Sequence, residues 1–85
     1  MIVPTVHLNG TSKDELLRQV LEADRAVNVA LSRLRDATPN ARDYYPQGPD
    51  AFREASNAHY LRIARLQSVR EELAGIYEAV EEQGK

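Results

Sequence analysis

Apolar positions in the first half of the chain fall at Leu16, Val20, Ala23, Val27, Ala30, Leu34 and Ala37. Their alternating steps of four and three mark one seam along an α-helix, flanked by Leu17, Leu21 and Leu31. Alanine at three of the seven places predicts close approach by a second helix. That helix reads through Phe52, Ala55, His59, Ile63, Leu66, Val69, Leu73, Ile76 and Val80, with Tyr77 alongside. Residues 2–8 follow another rule, with Ile2, Pro4, Val6 and Leu8 on one parity and Val3, Thr5 and His7 on the other, as in a half-buried extended segment. Pro4 restricts it to an edge or an irregular arm. A lone extended segment satisfies its backbone by lying over the helices or by pairing with a copy from another subunit.

The boundaries follow from local chemistry. Asn9-Gly10 supplies a turn, and Ser12 with Glu15 matches the S-x-x-E capping box, as Thr11 with Asp14 does one residue earlier. Pro39 disfavours helical geometry at Thr38, so the first helix is predicted over 12–37. Residues 38–49 hold three prolines and the Tyr44-Tyr45 pair. This stiff loop exceeds the usual two to eight residues of a helix connection, and loops of that length are commonly functional. Pro49 and Asp50 suit a helix start, and Gly84 ends a second helix predicted over 50–83. The expected fold is all-α: an antiparallel two-helix hairpin with a short N-terminal extended arm (2–8). Folded back as an antiparallel hairpin, the shorter first helix is matched by the second only to about residue 74. Ile76, Tyr77 and Val80 then overhang and require the arm or a neighbouring chain as cover.

Composition adds a second argument for assembly. Eighty-five residues form one domain, and of the 42% hydrophobic residues eleven are alanine. Chains of this size are marginal alone, and the absence of cysteine removes disulfides and thiolate metal sites as staples. A homo-oligomer is therefore expected. A net charge of −2 is the wrong sign for a duplex nucleic-acid binder. No apolar stretch approaches the roughly 20 residues of a membrane span, and the N-terminus lacks a basic signal-peptide region, so a cytosolic chain is expected. Nine of the eleven cations are Arg, which suits planar contacts with carboxylate, phosphate and aromatic groups.

Catalytic chemistry has little support in the residues. His7 and His59 are not in a metal-ligand spacing, the serines lack a nucleophile elbow, and the acidic cluster Glu71, Glu72, Glu78, Glu81 and Glu82 reads as a solvated helix end. Neither a catalytic residue, a metal site nor a cofactor is expected. The candidate ligand residues fall in two groups. Gly10, Thr11, Ser12 and Lys13 offer free N–H groups at a helix start, two hydroxyls and an ammonium, a small anion pocket; simple capping by Ser12 is the plainer reading. Arg42, Tyr44 and Tyr45 offer a phosphate or carboxylate donor and two stacking rings between Pro39 and Pro46. Alternatively, one Tyr plugs the open end of the hairpin and Asp43 fixes Arg42. Asp24 and Asn28 cut a polar notch into the apolar side of the first helix and suit an Arg from a partner.

The stretch Val6-His7-Leu8-Asn9-Gly10-Thr11-Ser12-Lys13, followed by Asn40-Ala41-Arg42-Asp43-Tyr44-Tyr45-Pro46-Gln47-Gly48, resembles a group of small tailed-bacteriophage proteins. The resemblance spans nearly the whole chain and carries no catalytic residue. It implies a phage accessory protein in the host cytoplasm. In architecture alone, an oligomeric helical hairpin is also similar to phage immune-evasion sponges, which sequester cyclic nucleotide or cyclic ADP-ribose signals between subunits. On that resemblance the expected function is non-enzymatic capture of a small anionic ligand, with Arg42, Tyr44 and Tyr45 and the Gly10 to Lys13 turn meeting across subunits. The rival expectation is a structural or adaptor protein that binds a phage virion component or a host protein through its helical surface.

Overall fold

Ser12 opens the first helix by accepting the Glu15 N–H on its hydroxyl at 3.2 Å, and from there α1 runs Lys13–Asp36. Only half of the expected capping box forms, because the Glu15 carboxylate is held by Arg18 and Gln19 on the next turn. The computed structural model describes residues 1–84, and a second helix, α2, runs Ala51–Glu81. Both lie within one to two residues of the predicted bounds. Pro49 stays outside α2, and Asp50, at the N-cap, places its carboxylate 2.6 Å from the Arg53 guanidinium. The two helices pack antiparallel in a rod of 61 × 20 × 18 Å, and no strand forms among the described residues.

Three contacts fix the register. Lys13, at the start of α1, reaches the last carbonyls of α2, its ammonium 2.6 Å from Glu81 O and 2.8 Å from Gln83 O. Arg70 meets Asp24 midway, and the His59 ring, 6% exposed, lies 2.6 Å from Leu34 O near the end of α1. The expected overhang at Ile76, Tyr77 and Val80 is therefore absent, and Val80 is completely buried. The extra length of α2 lies at the loop end instead. The connection is not a tight joint: residues 41–43 and 45–47 form two 3-10 turns, the second packed on α2, and Tyr44 sets its ring 6.5 Å from Phe52. These turns let α2 begin about two turns beyond the end of α1. Cover for the C-terminal part of α2 comes from within the chain, so the predicted overhang is no argument for a neighbour.

The seam of α1 is rotated from the expected one. Leu16, Leu17, Val20, Asp24, Val27, Leu31 and Leu34 are covered, with Leu31 only 1% exposed, while Ala23, Ala30 and Ala37 face outward. Turning the leucine flank inward removes more apolar surface from water than alanine would, and it brings Asp24 to Arg70. On α2 the predicted seam holds from Ala55 to Val80 except at Val69, which like Phe52 stays partly exposed.

The arm also departs from its predicted alternation. Val3 and Val6 are covered whereas Ile2 and Leu8 are fully solvated. Its backbone pairs with a side chain and not with another strand. The Gln83 amide accepts the Val6 N–H at 2.7 Å and donates to Pro4 O at 2.7 Å, two bonds a neighbouring strand would otherwise supply. Toward its start the arm follows α2 back to Gly75, where a Cβ would lie 3.1 Å from the Met1 terminal methyl. Gly75 and Ala79 fall about 120° to 180° around α2 from Arg70 and Leu73, the side bound to α1, so the arm straps the far side.

Candidate functional site

The polar notch of α1 is filled from within the chain. Arg70 Nε and Nη2 donate to the two Asp24 carboxylate oxygens at 2.8 and 3.0 Å, and Nη1 donates to Asn28 Oδ1 at 2.9 Å. This forked geometry uses the planarity of guanidinium. The Arg70 hydrogen bonds hold the Asp24 carboxyl below its ordinary range. Bonds from Arg18 and then Gln19 push Glu15 down to about 2. No partner subunit is needed to satisfy Asp24, which corrects the expectation of an intermolecular Arg at the notch.

The two groups of candidate ligand residues lie at opposite ends of α1, whose 24 residues rise about 36 Å. At the N-terminal end, His7 O accepts the Gly10 N–H at 3.2 Å, and the His7 ring folds over Gly10 where a Cβ would meet it at 2.7 Å. Thr11 and Ser12 are exposed, with the Ser12 hydroxyl engaged as the cap. The Lys13 ammonium is turned to the carbonyl end of α2 and away from the open N–H groups of α1. In that place it offsets the unfavourable charge of the acidic α2 terminus, a role the Gly10 to Lys13 sequence does not advertise.

At the loop end, Asn40 caps the first 3-10 turn through the Arg42 N–H at 3.1 Å. Tyr44 is half-buried on Phe52, whereas Tyr45 is 76% exposed. The Arg42 guanidinium has no side-chain partner among the described residues, and Asp43 does not hold it. Gly48, at φ +108°, turns the chain from this loop into α2. One ring thus closes the hairpin while the other and the arginine face water.

Between α1 and α2, beside the Asp24–Arg70 pair, Val20, Leu21, Leu73 and Tyr77 line a mainly apolar cleft of about 240 Å³. Asp24, Ala74 and Glu78 complete its lining. Nothing in the apolar periodicity marks this cleft, because it depends on the interhelical register. Among the described residues, no three His, Cys, Asp or Glu side chains are grouped to hold a metal ion, and neither helix is long and apolar enough to cross a membrane.

The class defined at this point is a small all-α helical hairpin strapped by its own N-terminal arm. No family model, no curated protein and no solved structure matches the chain.

Proposed function

We propose that the chain is a non-enzymatic protein-binding hairpin, a phage accessory or adaptor protein that engages a virion or host protein through its helical surface. The supporting observation is the distribution of large side chains. Only Leu31, Val80 and His59 are buried among the described residues, while Val29, Tyr45, Tyr60 and Leu61 are each more than half exposed. Tyrosine is among the usual anchors of protein contacts, and the exposed aliphatic groups add apolar area to that surface. The test is photo-crosslinking in an infected host, with a photoreactive residue at position 29, 45 or 61. One discrete protein adduct is expected. The identified protein must then bind the purified chain, and Leu61→Asp must weaken that binding. Binding unaffected by substitutions at these positions would refute the reading.

A second reading, capture of a small anionic ligand such as a cyclic nucleotide or cyclic ADP-ribose, is favoured by the unpaired Arg42 beside the exposed Tyr45. A composite pocket that adds the Gly10 to Lys13 turn needs a neighbouring subunit, and Lys13 would have to leave the α2 carbonyls. Thermal-shift measurements with cyclic nucleotides test this reading. A ligand at 100 times its dissociation constant adds about 2.7 kcal/mol, and Arg42→Ala should remove the shift.

A further inference from the structure

The interhelical cleft and the most exposed aromatic residue of α2 lie on one side of the same helix. Tyr60 is 71% exposed. From it, Ala64, Gln67, Glu71, Ala74 and Glu78 follow at steps of four, three, four, three and four, a regular heptad track on the flank of α2 that borders the cleft. The end of this track is the α2 wall of the cleft, since Ala74 and Glu78 line it. Projection and recess thus sit about 14 to 18 residues apart on one face, or about 21 to 27 Å by helix rise.

We infer that the cleft is the receptor for Tyr60 of a second copy of this chain, in an antiparallel α2–α2 dimer whose twofold axis passes level with Val69. This identifies one partner of the helical surface proposed above, and rests on that reading only in treating the surface as a protein contact. The register follows from the track. An axis at that level sets Tyr60 opposite Glu78, Ala64 opposite Ala74 and Gln67 opposite Glu71. The Ala64–Ala74 pair, made twice by the twofold, lets the helices approach, and the same symmetry fills both clefts at once. Such an isologous contact needs the same patch to carry both knob and hole, as this one does. The ring enters an apolar recess while its hydroxyl donates to the Glu78 carboxylate at the rim.

Charge agrees with the same register. His59 is level with Leu34 in the hairpin. Arg35, one residue on, is therefore within about a turn of Tyr60 along the rod, and so of the level of the second copy's residue 78, a glutamate. Arg35 is exposed and has no side-chain partner among the described residues. A parallel arrangement would instead bring each acidic stretch against itself.

The test combines mass and crosslinking on the full chain. Sedimentation of the unmodified protein at micromolar concentration should show a dimer, Tyr60→Ala should raise its dissociation constant by at least about tenfold with helical circular dichroism retained, and Tyr60→Phe should keep it. Because the chain lacks cysteine, Ala64→Cys with Ala74→Cys reports the register directly. The two positions are about 15 Å apart within one helix, too far for an internal disulfide, so oxidation should give a covalent dimer. Ala30→Cys, on the outward alanine side of α1, should stay monomeric under the same oxidation. A monomer at all concentrations, a dimer indifferent to Tyr60→Ala, or crosslinking of the Ala30→Cys variant as efficient as that of the 64/74 double variant would each overturn the inference. Position 29, on the side of α1 away from α2, and position 45, in the loop, lie off the Tyr60 track, so photo-crosslinking there can succeed or fail independently.

Discussion

Arg70 shows how one side chain decides a packing that apolar spacing leaves open. Two stripes run down α1 about 100° apart, one through Ala23 and Ala30 and the other through Asp24 and Leu31, and each has the periodicity of a seam. The fork from Arg70 to Asp24 and Asn28 is available only to the second. Since the folded carboxyl of Asp24 titrates lower than its unfolded counterpart, its contribution is complete above the unfolded value near 4 and disappears as pH falls through the folded value. Glu15 behaves alike, its contribution lost as pH falls toward about 2. Urea midpoints measured from pH 7 to pH 2 should thus decline mainly below about pH 4, and Asp24→Asn should flatten that decline. A slope unchanged in the variant would show that the pair is not formed in solution. Lys13 carries a different load, on the carbonyls that end α2. Lys13→Met should cost about 1 kcal/mol, read from denaturant unfolding, and the loss should be largest at low salt.

Among the elements, the helices were legible in advance because caps and prolines act locally: Ser12, Pro39 and Gly84 state their roles without tertiary context. Which end of α2 would project was not legible. That depends on whether the loop acts as a hinge or as a packed unit, and the Tyr44 contact with Phe52 makes it the latter. The arm was legible as extended and Pro-limited, but its partner was not, since no periodicity announces that the amide of Gln83 will replace a strand. In the same way the sequence marks Arg42 and Tyr45 as available chemistry, while the cleft beside Tyr77 exists only once the register is set. Gly48 offers a direct test of the packed loop. Its φ of +108° and ψ of 169° lie in a region nearly restricted to glycine. Open space surrounds the site of an added Cβ, so any cost is conformational and not a clash. Gly48→Ala should therefore lower stability by about 1–3 kcal/mol in thermal or denaturant unfolding. A neutral effect would mean that the loop enters α2 by another path.

For the molecule as a whole, an elongated two-helix rod encloses little volume, and burial is concentrated in a single line from Leu31 and His59 to Val80. Native chains of this size hold only a few kcal/mol of net stability, so surface covered by association forms a substantial share of the total. If folding and dimerisation are coupled, mass action fixes the consequence. Each tenfold rise in concentration adds about 1.4 kcal/mol per dimer, or about 0.7 kcal/mol per chain. For a domain of this length 1 kcal/mol moves the melting temperature by about 4–8 °C, so the midpoint should climb by roughly 3–6 °C per decade of protein concentration. Calorimetry or circular dichroism from about 1 to 100 µM covers two decades, and the same series on Tyr60→Ala should be nearly flat and start lower. A concentration-independent midpoint in the unmodified chain would instead assign all of its stability to the strapped hairpin itself. The arm, the Lys13 cap and the Asp24–Arg70 fork would then have to suffice without a second copy.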